Sequence, residues 1–296
     1  MGSNTHYPDE GPVRRVSVAG FWMDVTTVTN ADFDEFIAAT SYVTVAERAP
    51  DPTDYPGADP RALVPAALVF TLPPGPVDLR DHRQWWRLVP GADWRHPTGP
   101  DSDLTGLEDH PVVHVAWPDV QAYATWAGRA VPTEAEWEYA ARGGLDGAEF
   151  VWGDHNPQED GAPLANTWQG RFPWENTELD GFTRTSPVTA FPPNGYGLFD
   201  MAGNVWQWTS DWYTPRSRQD LDEQPPTVCC GTDPRSLESA SYDPTTPALK
   251  IPRKVAKGGS HLCTTQYCFR YRPAARQPQA VDTASSHVGF RLITRP

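Results

Sequence analysis

Basic residues are scarce in this chain. Lys and Arg total 24 against 38 Asp and Glu, a formal net charge of −14. A phosphate backbone is bound through a basic surface, so nucleic acid is excluded as a partner. Long apolar runs are also missing. No stretch approaches the roughly 18–20 apolar residues of a membrane-spanning helix, so no membrane association is expected. The N-terminus lacks the basic-then-apolar order of a secretory signal. Cysteine is sparse, with four in 296 residues. That is too few for a disulfide scaffold, which places the protein in the cytoplasm.

Proline, glycine and tryptophan are plentiful, at 32, 23 and 13 residues. This composition predicts a loop-rich globule whose loops are pinned by large side chains; disordered chains are poor in aromatics. A chain of 296 residues can form one core. Neither a repeat nor a clean linker divides it, so one domain over residues 1–296 is expected.

Residues 13–18 alternate and read as a strand, and Phe21, Trp22 and Met23 as a second extended piece. Thr29 is a candidate helix N-cap with Asp32 three residues on, and Phe33, Phe36 and Ile37 supply an apolar helix face. Residues 46–110 read as irregular, anchored by Trp85, Trp86 and Trp94. A helix is expected from Pro118 to Ala127, stopped by Gly128. Another opens with the capping box Thr133-Glu134-Ala135-Glu136, carries Trp137, Tyr139 and Ala140, and ends at Gly143-Gly144. Loops and short strands follow, with residues 214–250 as a polar excursion.

The chemistry concentrates in residues 257–276, KGGSHLCTTQYCFRYRPAAR. Gly258 and Gly259 permit an unusual backbone path. Cys263 and Cys268 are two thiols separated by four residues, followed by Phe269, Arg270, Tyr271 and Arg272. Nearby guanidinium groups favour thiolate over thiol. Two close thiolates suit Cu(I), zinc or iron–sulfur chemistry, or a disulfide. By spacing alone, packed free thiols or a local disulfide are the commoner outcome, because C-x4-C lies at the edge of the zinc range.

Several further stretches bear on identity. They are HPVVHVAWPDVQAYATWAGRAVPTEAEWEYAARGG (110–144), ANTWQGRFPWENTELDGF (165–182), PPNGYGLFDMAGNVWQWTSDW (192–212) and HVGFR (287–291). With KGGS and the paired cysteines, they resemble the formylglycine-generating enzymes, or sulfatase-modifying factors, over essentially the whole chain. Only that family's opening strand, before Met1, is missing. The helix and NGYGL–GNVW motifs belong to a wider, C-type-lectin-like superfamily and specify fold. The cysteines with Tyr267 specify the oxidase. The resemblance implies an α+β single domain with little regular structure, stabilised by calcium. It implies a monomer that uses O2 and Cu(I) to oxidise the cysteine of a C-x-P-x-R motif in an unfolded or nascent sulfatase to formylglycine.

The family's copper ligands match Cys263 and Cys268. Two thiolates hold a soft d10 ion in near-linear coordination and leave room for a substrate thiolate and dioxygen. Loss of hydrogen from the substrate Cβ then gives a thioaldehyde, which water converts to the aldehyde. Ser260 and Tyr267 match pocket residues able to donate a hydrogen bond to reduced oxygen. His287 stands where the family has asparagine. Trp206 and Trp208 are candidate cavity walls or core. The resemblance implies a first calcium site from the Asn166 and Asp180 side chains and the Thr167 and Phe182 backbone oxygens. A second takes the Asp200 and Gln207 side chains with the Gly203 and Val205 backbone oxygens. There the usual asparagine–glutamate pair is reversed to aspartate–glutamine, which keeps one negative charge.

Cys229 and Cys230 read as a surface thiol pair; a tetrathiolate zinc site with Cys263 and Cys268 lacks the usual ligand gap. Pro273 and Leu292 stand where some family members have structural cysteines, so those disulfides are absent. Two other readings stay open. One is a non-catalytic binding module on the same fold, which has no need of the cysteines. The other is a non-haem iron sulfoxide synthase, whose added histidine-bearing helical domain has no counterpart here.

Overall fold

Helix ends form where side chains can take up unpaired backbone groups. In the computed structural model, which describes residues 1–155, 162–214 and 237–296, helix α1 (Asn30–Thr40) begins with a closed capping box. Thr29 Oγ accepts the Asp32 amide at 3.1 Å and Asp32 accepts the Thr29 amide at 3.0 Å. Helix α2 spans Trp117–Trp126. Helix α3 (Glu134–Arg142) repeats the box with Thr133 and Glu136, and stops at Gly143 in the left-handed region. A Cβ on Gly143 would meet the Gly195 nitrogen at 2.7 Å, so the NGYGL loop packs directly on the helix end. Asn194 Nδ2 donates to the Ala140 carbonyl at 2.8 Å, capping α3 from that loop.

The strands are short and their partners distant. β1 (Trp22–Met23) pairs with β8 (Ile293–Thr294). β2 (Ala66–Phe70) pairs antiparallel with β3 (Trp86–Pro90). A four-stranded sheet joins β6 (Gln277–Ala280), β5 (Arg253–Lys257), β4 (Trp206–Trp212) and β7 (Val288–Gly289) in that spatial order. Only the β4–β7 pairing is parallel. The main core lies between this sheet and the helices: Phe33, Phe36, Val120, Tyr123, Trp137, Trp206, Trp208 and Phe290 are all buried in it. Trp206 and Trp208 are therefore core and not cavity walls.

Two expectations need correction. Residues 13–18 alternate but form no strand. Val13 and Val16 are exposed and no sheet edge lies beside them, and alternation without a ladder partner does not make a strand. Residues 46–110 are not wholly irregular, because β2 and β3 form a sheet there. Trp85 and Trp94 are buried anchors, as expected. Cys229 and Cys230 lie outside the described residues, as does most of the 214–250 excursion.

Candidate metal centre

Strand β5 delivers the chain to the site. Gly258 and Gly259 follow it with φ of 96° and 73°. A Cβ on Gly259 would lie 2.9 Å from the Tyr271 backbone, and one on Gly258 3.0 Å from Trp137. Only glycine fits this close left-handed turn. Beyond it, the Cys263 amide donates to the Ser260 carbonyl at 2.9 Å, and the Cys263 carbonyl accepts the Trp168 amide at 2.9 Å. A tight loop then reverses the chain: the Thr264 amide donates to the Cys268 carbonyl at 3.1 Å.

This loop brings the two sulfurs to 3.0 Å. Both cysteines are free. The separation exceeds the 2.03–2.05 Å of a disulfide. It is also shorter than two metal–sulfur bonds of about 2.3 Å laid end to end, so the sulfurs must part to hold an ion in line. Cys263 is buried and Cys268 half-buried. Burial and the neighbouring sulfur push the Cys263 thiol up, whereas the Cys263 hydrogen bond, then Arg270 and Arg272, draw Cys268 down. Of the two sulfurs, Cys268, the less buried, is thus the one more readily deprotonated. As a soft, convergent donor set the pair fits a monovalent soft metal.

Ser260 is fully buried beside this pair, its amide 3.4 Å from the Cys263 sulfur and its hydroxyl accepting the Leu262 amide at 3.3 Å. Tyr267 is 40% exposed. Its ring stacks on Phe172 at 4.6 Å and meets Trp85 edge-on at 5.5 Å. Burial and the sulfurs raise its pKa, so the hydroxyl keeps its proton. The aromatic wall continues through Phe70 to Trp86, whose ring centre is 4.7 Å from that of His287. Sequence reasoning placed Trp85 and Trp86 only as anchors and did not single out Phe172; its signal was the QGRFPW stretch.

His287 shares a hydrogen bond with Ser285 Oγ through Nδ1 at 3.0 Å. Burial, then His261 and His114, push it down to about 3, so it is neutral at physiological pH. The unfolded chain takes this proton below about 6.5 and the folded chain does not until about 3. His287→Asn should therefore gain stability over the parent as pH falls through that window, by at most about 1.4 kcal/mol per pH unit. Denaturant titrations of both proteins at several pH values measure this; a pH-independent difference would contradict it.

Among the described residues no group of three or more His, Cys, Asp or Glu converges as a metal cluster. The calcium expectations therefore rest on one carboxylate each plus neutral oxygens, and the two places differ. At the first, Asn166 is buried and donates Nδ2 to the Arg184 carbonyl at 2.8 Å. Asp180 Oδ1 accepts the Phe182 amide at 3.1 Å, while Oδ2 is buried without a partner. An orphaned buried carboxylate oxygen fits a hard cation. At the second, Asp200 Oδ1 is likewise orphaned, and burial pushes the carboxyl up to about 7. Gln207, however, does not fit the role of ligand. Its Oε1 already accepts Trp137 Nε1 at 2.8 Å and Arg291 Nε at 2.7 Å. Its Nε2 donates to the Asp200 carbonyl at 2.6 Å, which turns an N–H2 group toward the loop. Both lone pairs are used, and flipping the amide would set donor against donor.

A family model described as a sulfatase-modifying factor enzyme 1-like domain matches residues 1–296. A formylglycine-generating enzyme of Mycobacterium tuberculosis (strain ATCC 25618 / H37Rv) is 54% identical over 296 residues, 100% of this chain and 94% of that protein. A Mus musculus protein named inactive C-alpha-formylglycine-generating enzyme 2 is 38% identical, over 96% of this chain and 80% of its own. Among solved structures, PvdO from Pseudomonas aeruginosa has a TM-score of 0.64 at 22% identity, covering 100% of this chain and 90% of that one. That likeness bears on fold alone.

Proposed function

Because the chain belongs to the sulfatase-modifying factor enzyme 1-like family, we propose that it oxidises the cysteine of a C-x-P-x-R motif in an unfolded sulfatase to formylglycine, with dioxygen and Cu(I). The observation that carries this reading is the free pair Cys263 and Cys268, with sulfurs 3.0 Å apart and the Cys268 thiol, the less buried, drawn down. A family relative named inactive shows that membership alone does not supply activity. A soft two-sulfur donor set beside a half-exposed tyrosine has an obvious use in the oxidase and none in a binding module.

Each residue has a definable task. Cys263 and Cys268 would hold the copper ion, which when bound supplies one-electron chemistry toward dioxygen. Cys263 is tied to the framework through both its peptide groups, so it is the fixed ligand. Cys268, the less buried of the two, would be the ligand nearer an arriving third sulfur. Tyr267 keeps its phenolic proton and can donate it as a hydrogen bond near that position. Ser260 sets the turn that aims Cys263. The exposed Tyr267 ring, backed by the buried Phe172 and Trp85, offers an apolar surface to an extended peptide and its proline. Reduced, unpaired thiols support a reducing compartment, in keeping with the cytoplasm, and the protein acts as a monomer in this reading.

The test is mass spectrometry of a C-x-P-x-R peptide incubated with the protein, copper, dioxygen and a thiol reductant. Conversion of the cysteine to aldehyde is expected. An unchanged mass overturns the oxidase reading, and retained peptide binding would then favour the binding module.

Calcium is proposed at Asn166, Thr167, Asp180 and Phe182. The ion stabilises the fold by binding the native loops and not the unfolded chain. Saturation at about 100 times Kd adds about 2.7 kcal/mol. Chelation should therefore lower the melting temperature by roughly 5 °C. A scan unaffected by chelator would remove calcium from this account.

A further inference from the structure

The segment that precedes β1 takes no part in the chemistry above, yet it lies against the residues that follow Cys268. Glu10 is 1% exposed and grips Arg272, itself 1% exposed, through two hydrogen bonds of 2.8 and 2.5 Å. The same guanidinium donates Nε to the Phe269 carbonyl at 2.9 Å. The Phe269 amide donates to Tyr7 Oη at 3.1 Å. Residue 269, the immediate neighbour of Cys268, is thus held at its amide by Tyr7 and at its carbonyl through Glu10 and Arg272. Arg270 lies over the Tyr7 ring at 3.9 Å and pairs with Asp9 at 3.3 Å. The Phe269 ring meets His6 edge-on at 5.1 Å.

The two thiols are anchored differently. Cys263 is buried and bonded through both peptide groups to the framework. Cys268 ends an exposed loop, residues 265–267, held from that side by its carbonyl to Thr264 and by the Tyr267 ring on Phe172. Its position is therefore set from both sides, and the residues after it are held by the arm.

We infer that residues 7–10 are a positioning element for Cys268, in which Tyr7 and Glu10 hold both backbone groups of the next residue and so set the separation of the two sulfurs. This deepens the reading of the thiols as a metal-binding pair, and its test is chosen to stand apart from copper and from turnover.

The full metal-free chain is equilibrated with glutathione buffers. Cys263 and Cys268 lose two electrons and two protons to one oxidised glutathione, giving one protein disulfide and two reduced glutathiones. Thiols held in contact close readily; thiols no longer held do not. Tyr7→Phe keeps the ring under Arg270 and removes only the hydroxyl. Losing one backbone hydrogen bond, at about 1 kcal/mol, should weaken closure about fivefold, which raises the reduction potential by about 20 mV. The melting temperature should stay within about 3 °C. Tyr196→Phe, whose hydroxyl lies against Tyr139, should leave the potential unmoved.

A parental potential in folded Tyr7→Phe overturns the proposal. If that variant melts early, Glu10→Asp carries the test instead, since it keeps the charge but shortens the reach to Arg272 and so loosens the hold on the Phe269 carbonyl, and an unmoved potential there is equally fatal. Cu(I) competition with a chromophoric chelator is run on the same proteins. A parent that takes up no Cu(I) sinks the copper reading and leaves the arm to be judged by the potential alone.

Discussion

Cys263→Ser and Cys268→Ser are each expected to abolish aldehyde formation on a C-x-P-x-R peptide while leaving the fold in place. A serine hydroxyl is a hard donor and keeps its proton at neutral pH, so it cannot replace a soft anionic ligand. The two variants should fail for different reasons. The hydrogen bond to Cys263 is the first cause drawing the Cys268 thiol down, so loss of Cys263 weakens the remaining sulfur as a donor as well. Loss of Cys268 leaves as the one remaining sulfur Cys263, whose thiol burial pushes up. Cu(I) uptake should fall in both, and melting temperature should move by only a few degrees, since the change in volume is small. Peptide turnover by either variant near the parental rate would exclude a two-thiolate centre.

The second large effect is on stability. Glu10→Gln should destabilise the protein by about 3–5 kcal/mol, because it leaves the Arg272 guanidinium buried with no counter-charge. At this chain length that lowers the melting temperature by roughly 10 °C. The contrast is Asp59→Asn. Its partner Arg61 is 91% exposed at the side chain, water screens the pair, and no measurable change is expected. Thermal scans of the three proteins side by side decide the matter. Equal melting of the parent and Glu10→Gln would mean the buried pair contributes nothing.

Legibility varied with the range of the interaction. The capping boxes at Thr29 and Thr133 were readable because cap and acceptor lie three residues apart. The stop at Gly143 was readable because the left-handed helix end favours glycine. The pair β2 and β3 was passed over, since prolines and aspartates around it mask a five-residue strand. The run at 13–18 erred the other way: its alternation is real, but no edge lies beside it. At the second calcium position, composition showed that one negative charge was kept. It did not show that Trp137 and Arg291, 70 and 84 residues away, already occupy the oxygen of Gln207.

From its residues alone the protein declared its caps, its glycine turn after β5, its family and the identity of its two reactive sulfurs. These are short-range or compositional matters, carried by spacing along the chain. Tertiary structure decided that the sulfurs stand 3.0 Å apart, with the Cys268 thiol drawn down and the Cys263 thiol pushed up. It also decided that Tyr7 and Glu10 hold the far side of that loop from 262 positions away. Such convergence depends on how distant segments share one packed volume, and no local pattern encodes which groups will meet there.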